Sequence, residues 1–126
     1  MYSKVIMDEF YNPQNYGVIK AASGVGKVSS NIGSEIIKIF IKVENDKIVD
    51  AEFQTFGGVV AIALSSIATK LMVGKSVKEI NKINANTFLE IVGEIPENKM
   101  YVLQAVLAAV YASVDSYFNK SAKNEN

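Results

Sequence analysis

The sequence contains no cysteine, histidine, tryptophan or arginine, so lysine supplies all 13 of its basic side chains. Without cysteine, the chain forms no disulfide and offers neither a thiolate nucleophile nor a thiolate ligand for a metal. Without histidine, it has no imidazole base, no imidazole ligand and no Ser-His-Asp triad. Carboxylates, lysine amines, hydroxyls, phenols and amides remain. These groups could still form an oxygen-ligated Mg²⁺ or Ca²⁺ site or a lysine-based active site.

An excess of charge of either sign is also missing, because 13 acidic residues balance the 13 lysines. A formal net charge of zero gives no overall field that would attract nucleic acid or an anionic membrane. Arginine, the usual reader of phosphates and guanine edges, is absent as well. We therefore expect no nucleic-acid partner and no membrane partner.

Long uninterrupted apolar runs are absent too. The most apolar stretch, residues 59–73, is broken by Ser65, Ser66, Thr69 and Lys70. The first ten residues include Asp8 and Glu9 and have no apolar core of the kind found in a signal peptide. These features predict neither a signal peptide nor a membrane span, and a cytoplasmic protein is expected.

Apolar periodicity predicts the elements of the first half of the chain. Residues 4–11 space their apolar side chains as a short helix, which ends at Asn12-Pro13 because the residue before proline disfavours the α region. Residues 35–56 alternate apolar and polar side chains around Asn45-Asp46, which predicts an antiparallel hairpin. Residues 25–30 predict a third strand after a glycine-containing loop.

The second half is predicted to be helical. A helical period runs from Gly57-Gly58 to a stop at Gly74, short helices begin near Ser76 and Asn86, and a long helix spans residues 97–117. The order predicts an α+β fold, a small antiparallel three-stranded sheet with helices packed on one face. At 126 residues the chain fits one domain, assigned to residues 1–118, with a polar C-terminal tail at 119–126. The last helix is apolar on more than one face, which indicates either burial on two sides or cover by a second copy.

Four segments, in order, resemble the NifU/IscU-type iron–sulfur cluster assembly scaffold family. Residues 8–17, DEFYNPQNYG, resemble its opening helix and Asn-Pro turn, and residues 36–43 resemble a strand of its sheet. Residues 51–57, AEFQTFG, resemble the approach to its second ligand loop. Residues 61–66 and Gly74-Lys75-Ser76 resemble the next helix and its end. The resemblance covers nearly the whole chain up to the tail, and it implies that family's fold.

The resemblance also locates the family's ligands. In that family, three cysteines, an aspartate near the first and often a histidine beside the third hold iron and receive sulfur from a cysteine desulfurase. The matching loops here are residues 32–35, 57–60 and 99–102. The former cluster-ligand positions are therefore Gly33 and Glu35 in the first loop, Gly58 in the second, and Tyr101 and Val102 in the third.

These substitutions change the chemistry that the resemblance implies. One carboxylate, Glu35, and one neutral phenol, Tyr101, do not replace several thiolates around a cluster, and no thiol remains to accept sulfur. We expect no catalytic residue, no metal site and no cofactor. The prediction is a non-enzymatic, cysteine-free pseudo-scaffold with a binding or regulatory role. The candidate partners are a cysteine desulfurase, another scaffold protein or a second copy of this chain.

Other interpretations remain open. The former cluster pocket could serve as a small-molecule site or cryptic active site that uses Glu35 and Tyr101, or Glu35 could ligate a cation. Gly33 and Gly58 are either a pocket floor or ordinary turn glycines, and the valines of the site are either exposed or covered. The segment 95–99 keeps one proline and the lysine of the family's Leu-Pro-Pro-Val-Lys chaperone-binding motif. Its middle differs, because Glu97 and Asn98 stand there, so chaperone recognition is not expected. The candidate partner or pocket surface comprises Val59, Val60, Pro96 and Lys99.

Overall fold

The computed structural model describes residues 2–124. Helix α1 spans Lys4–Tyr11, and strands β1, β2 and β3 span Gly24–Ser29, Ile36–Glu44 and Lys47–Phe56. Helix α2 spans Val59–Met72, a 3₁₀ helix spans Val77–Lys82, and α3 spans Ala85–Val92. A 3₁₀ turn at Glu97–Lys99 leads into the last helix, α4, at Met100–Asn124.

The three strands form one antiparallel sheet in the order β1-β2-β3. Asn45 and Asp46 both have positive φ, 52° and 62°, as the two central residues of the tight turn between β2 and β3. This conformation matches the twist of the strands, and asparagine and aspartate tolerate it better than most residues. The predicted hairpin and the α+β fold are confirmed.

Alternation along β2 decides which face of the sheet is buried. Ile37, Ile39 and Ile41 are fully buried on the inner face, where α2 and α4 pack.

Gly24 and Gly26 lie on the same face of β1, and they allow close approach of α4. A Cβ on Gly26 would lie 2.3 Å from the Ala109 carbonyl oxygen. These two glycines therefore belong to the strand and its helix contact, and β1 begins one residue before the predicted strand at 25–30.

Buried polar side chains of α2 hold the Asn-Pro turn that follows α1. Ser66 Oγ accepts from the Gln14 N–H at 2.8 Å and donates to Glu9 Oε1 at 2.7 Å. Asn15 Nδ2 donates to Thr69 Oγ1 at 3.1 Å. The polar residues that interrupt the apolar stretch 59–73 are thus the partners of this turn.

Of the two predicted short helices, the one at Ser76 begins where predicted, and the start of the other is displaced. Asn84, rather than Asn86, caps α3, because its side chain accepts from the N–H groups of Asn86 and Thr87 while Thr87 bonds back to the Asn84 N–H. The segment 77–82 forms a 3₁₀ helix capped by Ser76.

The final helix is longer than predicted. It begins at Met100 and continues to Asn124, past the predicted end at residue 117. The tail assigned to 119–126 therefore starts inside α4, and its residues 125 and 126 lie outside the described part of the chain. The division of the chain at residue 118 stays a prediction.

Helix α4 packs on more than one side. Residues 97–122 are, among the residues that the structure describes, the one helical segment long and apolar enough to cross a membrane by length and composition. Core helices meet the same criterion. Here Val106, Ala109 and Val110 are fully buried, and the helix contacts β1, β2 and α2. Packing within the chain accounts for its apolar composition.

Candidate functional site

The five positions that the resemblance assigns to cluster ligands meet at one end of the sheet. Ile36, the first residue of β2, pairs with Phe56, the last residue of β3. Glu35 therefore lies next to the Gly57-Gly58 turn that leads into α2, with Gly58 as the N-cap. Tyr101 and Val102 stand in the first turn of α4, which comes to the same end.

A hydrogen-bonded pair, Glu35–Tyr101, lies at the centre of the site. The Tyr101 hydroxyl donates to Glu35 Oε2 at 2.9 Å, and Ser30 Oγ donates to Glu35 Oε1 at 2.8 Å. The Ser30 N–H also donates to the Glu35 carbonyl oxygen at 2.9 Å. Glu35 is thus tied to the end of β1 through Ser30 and to the start of α4 through Tyr101.

The pair occupies the space that a side chain at position 33 would enter. A Cβ built on Gly33 would lie 2.2 Å from Glu35 Oε1 and 2.7 Å from the Tyr101 hydroxyl. Both distances are far below van der Waals contact. The pair therefore fills the space beside Gly33, and a side chain at this position would require the ends of Glu35 and Tyr101 to move apart.

The two glycines of the second loop differ from each other. A Cβ on Gly57 would lie 2.8 Å from Ala61 Cβ and 3.0 Å from Glu35 Cγ, so Glu35 also packs over this residue. A Cβ on Gly58 would meet nothing within 4 Å. Of the two positions that the resemblance assigns to cysteines in these loops, Gly58 is consequently open and Gly33 is occupied by the ends of Glu35 and Tyr101.

The valines of the site are mainly core residues. Val60 is 2% exposed and Val102 is 1% exposed, while Val59 is half-buried. An exposed apolar patch made from these three valines, one of the two alternatives left by the sequence, is therefore wrong. Their burial follows from their places in α2 and α4, whose apolar faces pack in the core.

Two small concavities flank the pair. One, of about 80 Å³, is lined by Glu35, Gly58, Val59, Val60, Lys99 and Val102, with Tyr2 and Ala61. The other, of about 170 Å³, lies between the end of β1 and α4, where Ser30, Tyr101 and Gln104 contribute polar groups. Ligand pockets for ordinary small molecules measure roughly 300–1,000 Å³. Pro96, half-buried before the 3₁₀ turn, lines neither concavity.

The electrostatics favour an ionised carboxylate beside a neutral phenol. Partial burial, the largest single influence, raises the pKa of Glu35, but hydrogen bonds from Ser30, from its own N–H and from Tyr101, with the charge of Lys99, lower the pKa overall. The hydrogen bond to Glu35, followed by burial and the charge of Glu35, raises the pKa of Tyr101 above its ordinary value. The lowered pKa of Glu35 and the raised pKa of Tyr101 both favour, at neutral pH, the hydrogen bond from the phenol to the carboxylate.

This donor set does not fit an iron–sulfur cluster. Clusters are held by several thiolates, with imidazole at some positions. The site offers one carboxylate and one phenol, which are already bonded to each other. Within residues 2–124, no group of three or more acidic, histidine or cysteine side chains is arranged to hold a metal ion.

Sequence reasoning identified both members of the pair but not their bond. They are 66 positions apart, and no spacing rule brings such residues together. Ser30 was missed entirely. Its only sequence signal was its place at the end of the predicted strand 25–30.

Comparison with known proteins places nearly the whole chain in the family that the sequence resembles. Residues 1–124 match the family model of the NifU-like N terminal domain. The chain is 39% identical to iron–sulfur cluster assembly scaffold protein IscU 1 of Archaeoglobus fulgidus over 123 residues, which cover 98% of this chain and 80% of the relative. It is 32% identical over 126 residues to IscU of Aquifex aeolicus, with the same coverage.

Solved structures resemble the fold at lower sequence identity. A nitrogen-fixing NifU-like protein (N-terminal) from Brucella abortus has a TM-score of 0.63 at 16% identity, covering 97% of this chain and 92% of that one. A putative iron–sulfur cluster assembly scaffold protein for the SUF system from Fervidobacterium islandicum has a TM-score of 0.64 at 20% identity, covering 90% and 93%. The chain belongs to the NifU/IscU family of iron–sulfur cluster assembly scaffold proteins, as a member without the three ligand cysteines.

Proposed function

We propose that this protein is a non-catalytic pseudo-scaffold of iron–sulfur cluster assembly, which binds a component of the assembly machinery and does not itself hold a cluster. The observation that carries the proposal is the Glu35–Tyr101 pair. It fills the side-chain space at Gly33 with two groups that are bonded to each other.

The cluster is the cargo of such scaffolds, and this chain has no group that can receive it. Sulfur transfer from a desulfurase persulfide requires an attacking thiolate, and the chain has no thiol. Iron would have to displace the Tyr101 proton and the Ser30 hydrogen bond to reach oxygen donors that are too few for a cluster. These facts support a role without chemistry at this site.

The rest of the framework supports a binding role. The Asn-Pro turn remains fixed to α2 through Ser66 and Thr69, and the four elements around the site still converge. The family's fold around a site without thiolate ligands suits a protein that offers the shape of a scaffold to its partners. A cysteine desulfurase, a cysteine-bearing scaffold or a second copy of this chain are the proposed partners, in the cytoplasm.

A small-molecule or cryptic enzymatic function is the weaker proposal. It requires an enclosed cavity at the former cluster site. The concavities there measure about 80 and 170 Å³, and Glu35 and Tyr101 lie between them, bonded to each other. Both volumes fall short of an ordinary ligand pocket.

The absence of cluster binding is tested by anaerobic incubation of the purified protein with ferrous iron and sulfide, followed by desalting. We expect a colourless protein with no retained iron, while a cysteine-bearing family member treated in parallel becomes coloured. Stoichiometric iron and sulfide retained by this chain would refute the proposal.

The binding role is tested by titrating the protein with the desulfurase and the cysteine-bearing scaffold encoded in the same genome, using calorimetry, and by sedimentation of the protein alone. We expect saturable binding to at least one of them, or a concentration-dependent dimer. Absence of all three interactions would overturn it.

A further inference from the structure

The outer face of the sheet, opposite α2 and α4, carries a groove at the end next to the former cluster site. We call it the outer-face groove. Its volume is about 270 Å³, and its main lining residues are Tyr16, Lys27, Ile36, Lys38, Gln54 and Phe56. Ile36 directly follows Glu35, and Phe56 directly precedes Gly57. The groove and the former cluster site therefore share one rim.

The floor of the groove is an exposed apolar pair. Ile36 and Phe56 are direct cross-strand partners, 37% and 65% exposed, and Tyr16 beside them is 56% exposed. Further along the same face of β2, Phe40 is only 5% exposed. On the outer face of β2, apolar exposure is therefore greatest at the end near the site.

The sides of the groove carry positive charge without compensation. Lys27 and Lys38 are direct cross-strand partners, and like charges in that position destabilise a sheet. The ion pairs among the described residues involve Lys4, Lys70 and Lys82, and neither groove lysine takes part in one. No acidic residue lines the groove. The Lys38 ammonium lies 5.0 Å from the centre of the Phe40 ring, which favours one position for it.

We propose that the outer-face groove docks an acidic segment of a partner protein. Its carboxylates face Lys27 and Lys38, and an apolar side chain covers Ile36 and Phe56. This inference rests on the proposed binding role and adds the chemistry of the partner. A second copy using the same face is disfavoured, because two-fold pairing would bring four lysines together. Nucleic acid would leave the apolar pair without a matching surface.

The test uses the full chain labelled with ¹⁵N and a synthetic peptide in which Phe-Leu is flanked on both sides by Glu-Asp. We expect amide shifts confined to the groove, at Lys27, Ile36, Lys38 and Phe56, and an affinity that falls as salt rises. Replacing the acids of the peptide by lysine should abolish the shifts.

Two variants and a matched control locate the interaction. Lys38→Glu should weaken peptide binding by about tenfold or more, and Phe56→Ser should weaken it without changing its salt dependence. Lys42→Glu is the control, since Lys42 lies on the same strand and face but pairs with Asp50 beyond the groove. It should bind like the unmodified protein.

The inference is overturned if the acidic peptide causes no shifts, if both peptides bind equally, or if vesicles of anionic lipid or single-stranded DNA bind the groove more tightly than the peptide. Loss of peptide binding together with intact binding to the desulfurase or scaffold would remove this inference and leave the proposed function. Peptide binding at the groove, with no interaction with any assembly protein, would refute the proposed function and leave the groove as a site for acidic segments.

Discussion

At the scale of single residues, the chemistry of the site is decided by how Gly33, Glu35 and Tyr101 share one small volume. The carboxylate and phenol lie where a side chain at position 33 would enter. The glycine at position 33 therefore leaves room for the hydroxyl end of the Tyr101 side chain. The absence of a side chain at position 33 and the presence of the phenol at position 101 are thus structurally linked.

Adding one methyl group at each former cysteine position tests this relation. Gly33→Ala should destabilise the fold, because its Cβ would displace the carboxylate, whereas Gly58→Ala should change stability by less than about 0.5 kcal/mol because its Cβ enters open space. Urea denaturation measures both. The cost of Gly33→Ala should shrink in a Glu35→Ala background. An equal cost in both backgrounds would contradict the model of a shared volume.

The pH dependence of stability gives a second test of the pair. The lowered pKa of Glu35 means that its stabilisation is complete above the ordinary value of 4.5 and is lost as pH falls through the lower pKa of the folded protein. The stability difference between the wild type and Glu35→Gln should therefore be constant from neutral pH to about 4.5 and shrink below it. Thermal unfolding across this pH range measures it. A difference that grows in acid would show that the direction is wrong.

At the scale of elements, the turn after α1 is held by polar groups buried on α2. Ser66 has two hydrogen-bond partners, Gln14 and Glu9. Its neighbour Ser65 is equally buried, but its hydroxyl has no hydrogen-bond partner. We therefore expect the Ser66 hydroxyl to stabilise the fold and the Ser65 hydroxyl to contribute nothing to stability.

This difference predicts opposite effects of the same substitution. Ser66→Ala should cost about 1–3 kcal/mol, because it removes two hydrogen bonds at once, one from the Gln14 N–H and one to Glu9 Oε1, although Lys70 still pairs with the other oxygen of Glu9. Ser65→Ala should be neutral or slightly stabilising, because it removes a hydroxyl that pays for burial with no bond. Chemical denaturation of the two variants checks the order. Equal costs would contradict it.

At the scale of the whole molecule, four elements bring the former ligand positions to one end of the sheet. The pairing of Ile36 with Phe56 and the packing of α4 on β1 fix that convergence. Neither depends on a metal. The site can therefore lose its donors while the fold keeps its shape.

Restoring the thiols tests whether the pair closes the site. A variant with Gly33→Cys, Gly58→Cys and Val102→Cys should retain little iron and sulfide after anaerobic reconstitution, because the Glu35–Tyr101 pair opposes a side chain at 33. Adding Tyr101→His, which removes the phenol and supplies an imidazole, should increase retained iron and visible colour. Equal loading of the two variants would show that the pair is no barrier.

The sequence alone determined the fold class, the hairpin, the family and the absence of thiolate and imidazole ligands. These follow from local patterns and composition: alternation marks a strand, Asn45-Asp46 marks a tight turn, and a chain without cysteine has no thiolate. The tertiary structure decided which former ligand positions are blocked, which valines are buried and which lysines lie opposite each other. Glu35 and Tyr101 are 66 positions apart, and Gly26 contacts a helix more than 80 positions later. Only the packing of distant elements sets such distances.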